Sequence, residues 1–428
     1  MNICRSSGFL AVIVAAALMA ASNAAWSAEK KYGPGVTDTE IKIGQTIAYS
    51  GPASSFGTVG HTISAYYRII NDRGGINGRK INFISADDGY SPPKTVEQTR
   101  RLVEQEQVLA IIGSLGSPTN ALVQRYLNDR KVPQLFLFTG AARFRDPQTY
   151  PWTMAGDLSF VNETRAFARF IMEDKPDAKI GILYQNDDYG KDHINGLKSG
   201  LGDKAASMIV AEVPYESTDP TVDSQIVALK ASGADVLVEA SLPKFAAQSI
   251  RKMYDIGWKP LHIVSFPAAS IPLILQPAGL DKSVGLVTAA FLKEPGDPTW
   301  KDDPEVADYV AFLKKYSPEA DPNDWANVIA YYHAGAVVHL LTACGDELTR
   351  ENLMYHATHM DHVHVPMLLP GITFDTSPTD YSPVKQMQLR RFDGTRWVGF
   401  GGSSTASRPA RYRRRAACSS GSYGSVTK

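Results

Sequence analysis

Between Val108 and Thr139 the chain twice runs a short apolar stretch into a small polar loop, with a helix-forming segment between the two. Val108-Leu-Ala-Ile-Ile112 ends at Gly113, and Gln134-Leu-Phe-Leu-Phe138 ends at Thr139-Gly-Ala141; both read as strands buried on two faces. Between them Ser117 suits a helix N-cap. Pro118 suits the first helical position, where a missing N–H costs nothing, and the helix runs on over Asn120–Arg130. A strand–helix–strand run closes as a parallel pair with a crossover, so both loops arrive at one sheet edge. That edge, beside helix N-termini, is where open α/β sheets bind ligands and where anions are favoured.

The same alternation extends in both directions. Strands are predicted at Ile41–Tyr49 and Lys80–Ser85, with an amphipathic helix between them (Ile63, Tyr66, Tyr67, Ile70) that stops at Arg73-Gly-Gly-Ile-Asn-Gly78. A helix over Pro93–Gln105 leads into the stretch described above. Beyond it come strands at Lys179–Tyr184, Met208–Val213, Asp235–Glu239, Leu261–Phe266 and Gly285–Leu292, separated by helices. Two β-α series of similar size predict two doubly wound parallel sheets. From Pro304 the texture becomes helical (Pro304–Tyr316, Asp324–Cys344, Thr349–Thr358). Phe374–Tyr381 and Gln386–Phe400 then read as a hairpin turned at Asp393-Gly394.

The formal net charge is +0, which gives no footprint for nucleic acid. Arg5, the apolar run Phe9–Ala21 and Ser22-Asn-Ala24 form an export signal, so residues 1–24 are expected to be cleaved and the mature chain to be periplasmic. Residues 403–428 are basic and poor in apolar side chains, and are expected to be disordered. P-loop, zinc-protease, nucleophile-elbow and Cys-x-x-Cys motifs are missing, so no cofactor, metal or catalysis is expected. Four histidines crowd into Tyr355–His364. His359-Met-Asp-His362 is similar to part of a zinc motif, but Ala357 stands where its first histidine belongs, and a surface role is expected.

Four segments, in order and spacing, resemble the periplasmic leucine/isoleucine/valine-binding proteins of ABC importers. They are Ile41-Lys-Ile-Gly44 with Ser50-Gly-Pro52, Asn71-Asp-Arg-Gly-Gly-Ile-Asn-Gly78, Ile112-Gly-Ser-Leu-Gly-Ser117 and Leu183-Tyr-Gln-Asn-Asp-Asp-Tyr-Gly190. The resemblance implies an α/β type I fold: two doubly wound parallel-sheet lobes, a three-stranded hinge and a ligand cleft between the lobes. It divides the chain into 35–157 (first lobe), 158–288 (second lobe), 289–362 (returning to the first) and 363–402 (a hairpin on the second). It implies a monomer that serves an inner-membrane ABC permease.

The resemblance also assigns a ligand carboxylate to Ser117, Thr119 and the loop Thr139-Gly140-Ala141, with Tyr189 from the second lobe. The family's acid for an α-ammonium is replaced by Ser265-Phe-Pro-Ala-Ala-Ser270, and Glu239 is the candidate substitute. Phe56, Phe138, Phe144, Phe245 and Phe266 add an aromatic lining. The expected ligand is therefore a small apolar or aromatic carboxylate. A branched-chain amino acid, or a hydrolase on the same scaffold, are the alternatives.

Overall fold

The computed structural model describes residues 30–405. The expected export signal, 1–24, and the tail beyond Thr405 lie outside the described residues. Among those described, no helix is long and apolar enough to cross a membrane.

The first lobe is built from β1 (Glu40–Ile47), α1 (Gly57–Asp72), β2 (Lys80–Asp87), α2 (Pro92–Arg100), β3 (Ile111–Ile112), α3 (Ser117–Asp129), β4 (Gln134–Leu137) and β5 (Thr153–Ala155). Its five parallel strands lie in the order β2-β1-β3-β4-β5. β1 and β2 pair along their whole length, from Glu40–Lys80 to Ile47–Asp87. α1 buries Val59, Ile63 and Tyr67, four residues apart and hence on one face. It ends where Gly74 and Gly75 adopt positive φ; a Cβ on Gly75 would lie 2.0 Å from the Arg79 carbonyl, so no other residue fits this turn.

The second lobe comprises α4 (Phe160–Asp174), β6 (Ile180–Gln185), α5 (Asp188–Leu201), β7 (Ile209–Tyr215), α6 (Asp223–Ala231), β8 (Val236–Ala240), α7 (Pro243–Asp255), β9 (Leu261–Val264) and β10 (Val287–Ala290). α8 (Pro304–Tyr316) and α9 (Trp325–Ala343) then pack against α1, and α10 (Arg350–Ala357) against α9. β11 (Gln386–Phe392) and β12 (Trp397–Thr405) complete a seven-stranded sheet, β12-β11-β10-β9-β8-β6-β7, with the hairpin antiparallel to the rest. The chain thus crosses between the sheets three times, near residues 156–160, 291–295 and 365–385. The second and third crossings touch through Leu292–Leu368 bridging and a Lys293 N–H to Met367 carbonyl bond of 2.7 Å.

Three expectations need correction. Val108–Ala110 is buried but is not regular strand, because Arg350 takes the Val108 and Leu109 carbonyls (2.9 and 3.0 Å). Phe374–Tyr381 is not a strand but makes isolated bridges with Val363 and within itself; both strands of the hairpin come from the segment after it. That hairpin also runs beyond the expected boundary at Gly402, since Ser404 pairs with Met387 and Thr405 with Gln386.

Candidate functional site

Within each parallel set the strand order is the same, β2-β1-β3-β4-β5 in one and β7-β6-β8-β9-β10 in the other. The carboxyl ends of both sets face one gap, and the loops there enclose a cavity of about 40 Å³. Its first-lobe wall is Phe56, Tyr90, the Leu115–Ser117 loop, Phe138, Thr139 and Asp157. Its second-lobe wall is Phe160, Tyr189, Ser241, Leu242 and Pro267. A small-molecule site needs roughly 300–1,000 Å³, well above what the two lobes leave between them here. What closes them are direct bonds: Arg143 Nη1 to Asp188 (2.7 Å), the Ala142 N–H to Asp192 (2.7 Å), Gln185 Nε2 to the Tyr90 hydroxyl (3.2 Å) and Ser270 Oγ to Asp324 (3.0 Å).

Ser117 and Thr139 meet in this cavity, their hydroxyl oxygens 2.8 Å apart. Ser117 is not the cap that the sequence suggests. Gly116 takes that place at φ 96°, and a Cβ there would sit 2.6 Å from the Tyr90 ring. The Ser117 hydroxyl is thereby released from capping and lies at the first turn of α3, where amide N–H groups are free. Phe56 and Tyr189 also line the cavity, the Tyr189 hydroxyl donating to the Ser241 carbonyl at 3.3 Å.

Seven expected residues are not brought there. Thr119 turns its hydroxyl back to the Leu115 and Gly116 carbonyls. Gly140 packs against Phe160 and the Leu158 carbonyl, while Ala141 is buried with its N–H donated to Thr139 Oγ1 (3.2 Å). Phe245 packs on Tyr215, ring centres 4.4 Å apart. Glu239 is fully buried and accepts from Ser241, Ser249 and His262 (2.5, 2.6 and 2.7 Å), so its charge is consumed inside the second lobe. Phe266 lies one ring behind the cavity wall, 5.8 Å from Phe160, and Phe144 is buried core.

The acid that does reach the cavity is Asp157, on the first crossing between lobes. Its Oδ1 accepts from His333 Nε2 at 2.8 Å, while its buried Oδ2 has no partner. The Asp157 carbonyl is held by Arg145 (2.5 Å) and the Gly156 carbonyl by the Tyr332 hydroxyl (2.8 Å). Gly156 is obligatory: a Cβ there would meet the His333 ring at 2.5 Å. Burial pushes the Arg145 guanidinium down to about 10, against the pull of Asp157. An unpaired buried acceptor costs about 1–3 kcal/mol, and Asp157 carries one at the cavity wall.

Under Phe160 and Tyr189 lies a buried Glu163–His193–Ser265 cluster. Ser265 Oγ donates to Glu163 Oε2 (2.8 Å), the Phe266 N–H donates to Glu163 Oε1 (2.8 Å), and His193 Nε2 is 3.1 Å from Glu163 and 2.8 Å from Ser265. A serine–histidine–acid relay needs the acid on the other ring nitrogen. Here that nitrogen, Nδ1, donates to the Tyr189 carbonyl at 2.7 Å. The cluster therefore fixes the cavity wall and has no relay geometry. The histidine-rich segment stays at the surface, where His362 bonds Asp361 (2.6 Å) and lies 3.3 Å from Asp375.

Two α/β lobes closing on a cavity at their facing strand ends define a type I periplasmic binding protein. The family profile described as "Periplasmic binding protein" matches residues 40–396, and the chain belongs to that family. "Leu/Ile/Val-binding protein homolog 7" of Brucella abortus (strain 2308) is 25% identical over 245 residues, 54% of this chain and 60% of that protein. "Amino acid binding protein" of Pseudomonas aeruginosa is 25% identical over 233 residues, 51% of this chain and 58% of its own length. The chain thus spans about 60% of the curated relatives it matches. A valine-bound branched-chain amino acid ABC transporter structure from Thermus thermophilus shares the fold, with TM-score 0.78 and 16% identity over 87% of this chain and 98% of that one. A fatty acid ABC transporter substrate-binding protein from Thermomonospora curvata is 26% identical, with TM-score 0.71 over 88% and 95% of the two chains.

Proposed function

We propose that this chain is the periplasmic receptor of an ABC importer, closing its lobes on a small solute that carries a carboxylate and a protonated amine on an apolar body. The observation that carries this reading is Asp157, an acid among the lining residues whose second carboxylate oxygen has no partner. The absence of an acid at Ser265–Ser270 pointed to a plain carboxylate, and Asp157 supplies an acid from a different element. Ser117, Thr139 and the N-terminus of α3 offer the carboxylate hydroxyls and amides, while Phe56, Phe138 and Phe160 offer the body an aromatic wall. A micromolar Kd, about −8 kcal/mol, is within reach of these contacts. The names of the Brucella and Pseudomonas relatives support an amino acid. The Thermomonospora relative supports a second reading, a longer aliphatic acid.

The test is calorimetry with leucine, 4-methylpentanoate and 3-methylbutylamine, which share one body and differ in head group. Leucine is expected to bind at least about tenfold more tightly than either, the worth of one charge-assisted hydrogen bond. Binding of 4-methylpentanoate as tight as leucine would return the ligand to a plain carboxylate.

A further inference from the structure

A second cavity of about 40 Å³ adjoins the first on its hinge side. It is also shared between lobes: Trp325 and Val328 of α9 face Ala289 and Ala290 at the end of β10, with Leu292 on the second crossing. Aromatic rings separate the two spaces. Phe138 and Phe160 belong to the first wall, Phe266 and Trp325 to the second. Ring centres are 5.8 Å apart for Phe138–Trp325, 5.7 Å for Phe266–Trp325 and 5.8 Å for Phe160–Phe266. The partition is thus made of side chains, not of backbone. Strands are enriched in β-branched residues, yet this one ends on two alanines that line the second cavity. The charges at the far rim are already paired, Arg390 with Glu294 at 3.4 Å and Lys293 with Asp303 and Glu305 at 2.8 Å each, so the chamber offers an incoming group apolar surface.

We propose that the two cavities are one bipartite ligand site. The head group sits against Ser117, Thr139 and Asp157, and an unbranched aliphatic tail passes between Phe266 and Trp325 into the chamber floored by Ala289 and Ala290. This rests on the reading of the cleft as the solute site and narrows its substrate class to linear, medium-length amphiphiles. A branched side chain ends at the aromatic partition; a linear one threads it.

The experiment is calorimetry with straight-chain 2-amino acids of five, six, eight and ten carbons, on the native chain and on Ala290→Leu and Val328→Phe, which fill the chamber from opposite lobes. Thermal unfolding reports whether each variant folds, and either one suffices. In the native chain each methylene from six to eight carbons is expected to tighten Kd about fourfold, the worth of a buried methylene. Either variant is expected to abolish that gain while leaving the five-carbon member within about twofold. Affinity that peaks at five carbons, or variants that weaken every member equally, would overturn the bipartite site but leave the cleft reading standing. Failure of every member, the five-carbon one included, would overturn both.

Discussion

Replacing Asp157 by asparagine isolates the charge on which the ligand reading turns. His333 holds Oδ1 at 2.8 Å, and Arg145 and Tyr332 pin the backbone on either side, so asparagine inherits the same position and keeps an oxygen for His333. What disappears is the anionic acceptor at Oδ2. A hydrogen bond between charged partners contributes about 1.5–3 kcal/mol, which converts to a loss of about 10- to 150-fold in leucine affinity. The amide then directs an N–H at the ammonium, donor against donor, which places the expected value toward the upper end. 4-Methylpentanoate has no ammonium, and its affinity should stay within about twofold. Folding stability should fall by about 0.5–1.5 kcal/mol, as the His333 bond passes from an ionic to a neutral acceptor. Calorimetry at pH 7 with both ligands, and denaturant unfolding of both proteins, measure all three quantities. Leucine affinity unchanged within twofold, or an equal loss for both ligands, would refute the assignment of Asp157 to the ligand's amine.

Asp187 and Asp324 are both pushed up to about 6, burial being the larger cause in each. A carboxyl raised on folding holds its proton longer than in the unfolded chain, so stability falls as pH rises from about 4 through 6 and is level above. The share of each is up to about 3 kcal/mol, and Asp324→Asn should flatten the denaturation profile in that window; an undiminished slope would exclude Asp324 as a source. Glu163→Ala strands the Ser265 hydroxyl, the Phe266 N–H and His193 together, and should cost about 3–5 kcal/mol in denaturant unfolding; a loss under 1 kcal/mol would show that the cluster is not holding the wall. A chain ended after Gly402 should be less stable than one ended after Thr405 by about 1–3 kcal/mol, because the Ser404 and Thr405 ladder pairs are lost; identical melting would end the strand at Gly402.

The doubly wound lobes were legible because period and punctuation carry them: apolar runs of strand length, glycine turns and caps recur at each step. Ser117, Thr139 and Tyr189 came from the family resemblance and Phe56 from the aromatics of the same loops; the structure lines one cavity with all four, and their binding role is a proposal. Glu239 misled because a strand's last residue can face either the cleft or the sheet's helical layer, and sequence does not reveal that Ser241, Ser249 and His262 wait on the second side. Thr119 failed for a local reason: a threonine in the first turn of a helix bonds back to the preceding carbonyls. Asp157 was illegible because its meaning lies in His333, far along the chain, and in a glycine that lets that ring approach.

The pins on the first crossing bear on how the proposed site would assemble around a solute. Tyr332, Arg145 and His333 tie Gly156 and Asp157 to the first lobe, while Ser159 already caps α4 of the second, its Oγ accepting the Asn162 N–H. The pivot therefore falls at Leu158, and Asp157 travels with Ser117 and Thr139. Every group proposed to hold a charged head rides on one body. The head of a solute would then dock on the open first lobe, in a step whose rate scales with its concentration. The second lobe then swings down with Tyr189, Leu242 and Pro267, in a step whose rate does not. On the proposed reading, recognition of charge would precede enclosure, and a permease that senses the closed shape would be shielded from solutes whose heads never seat.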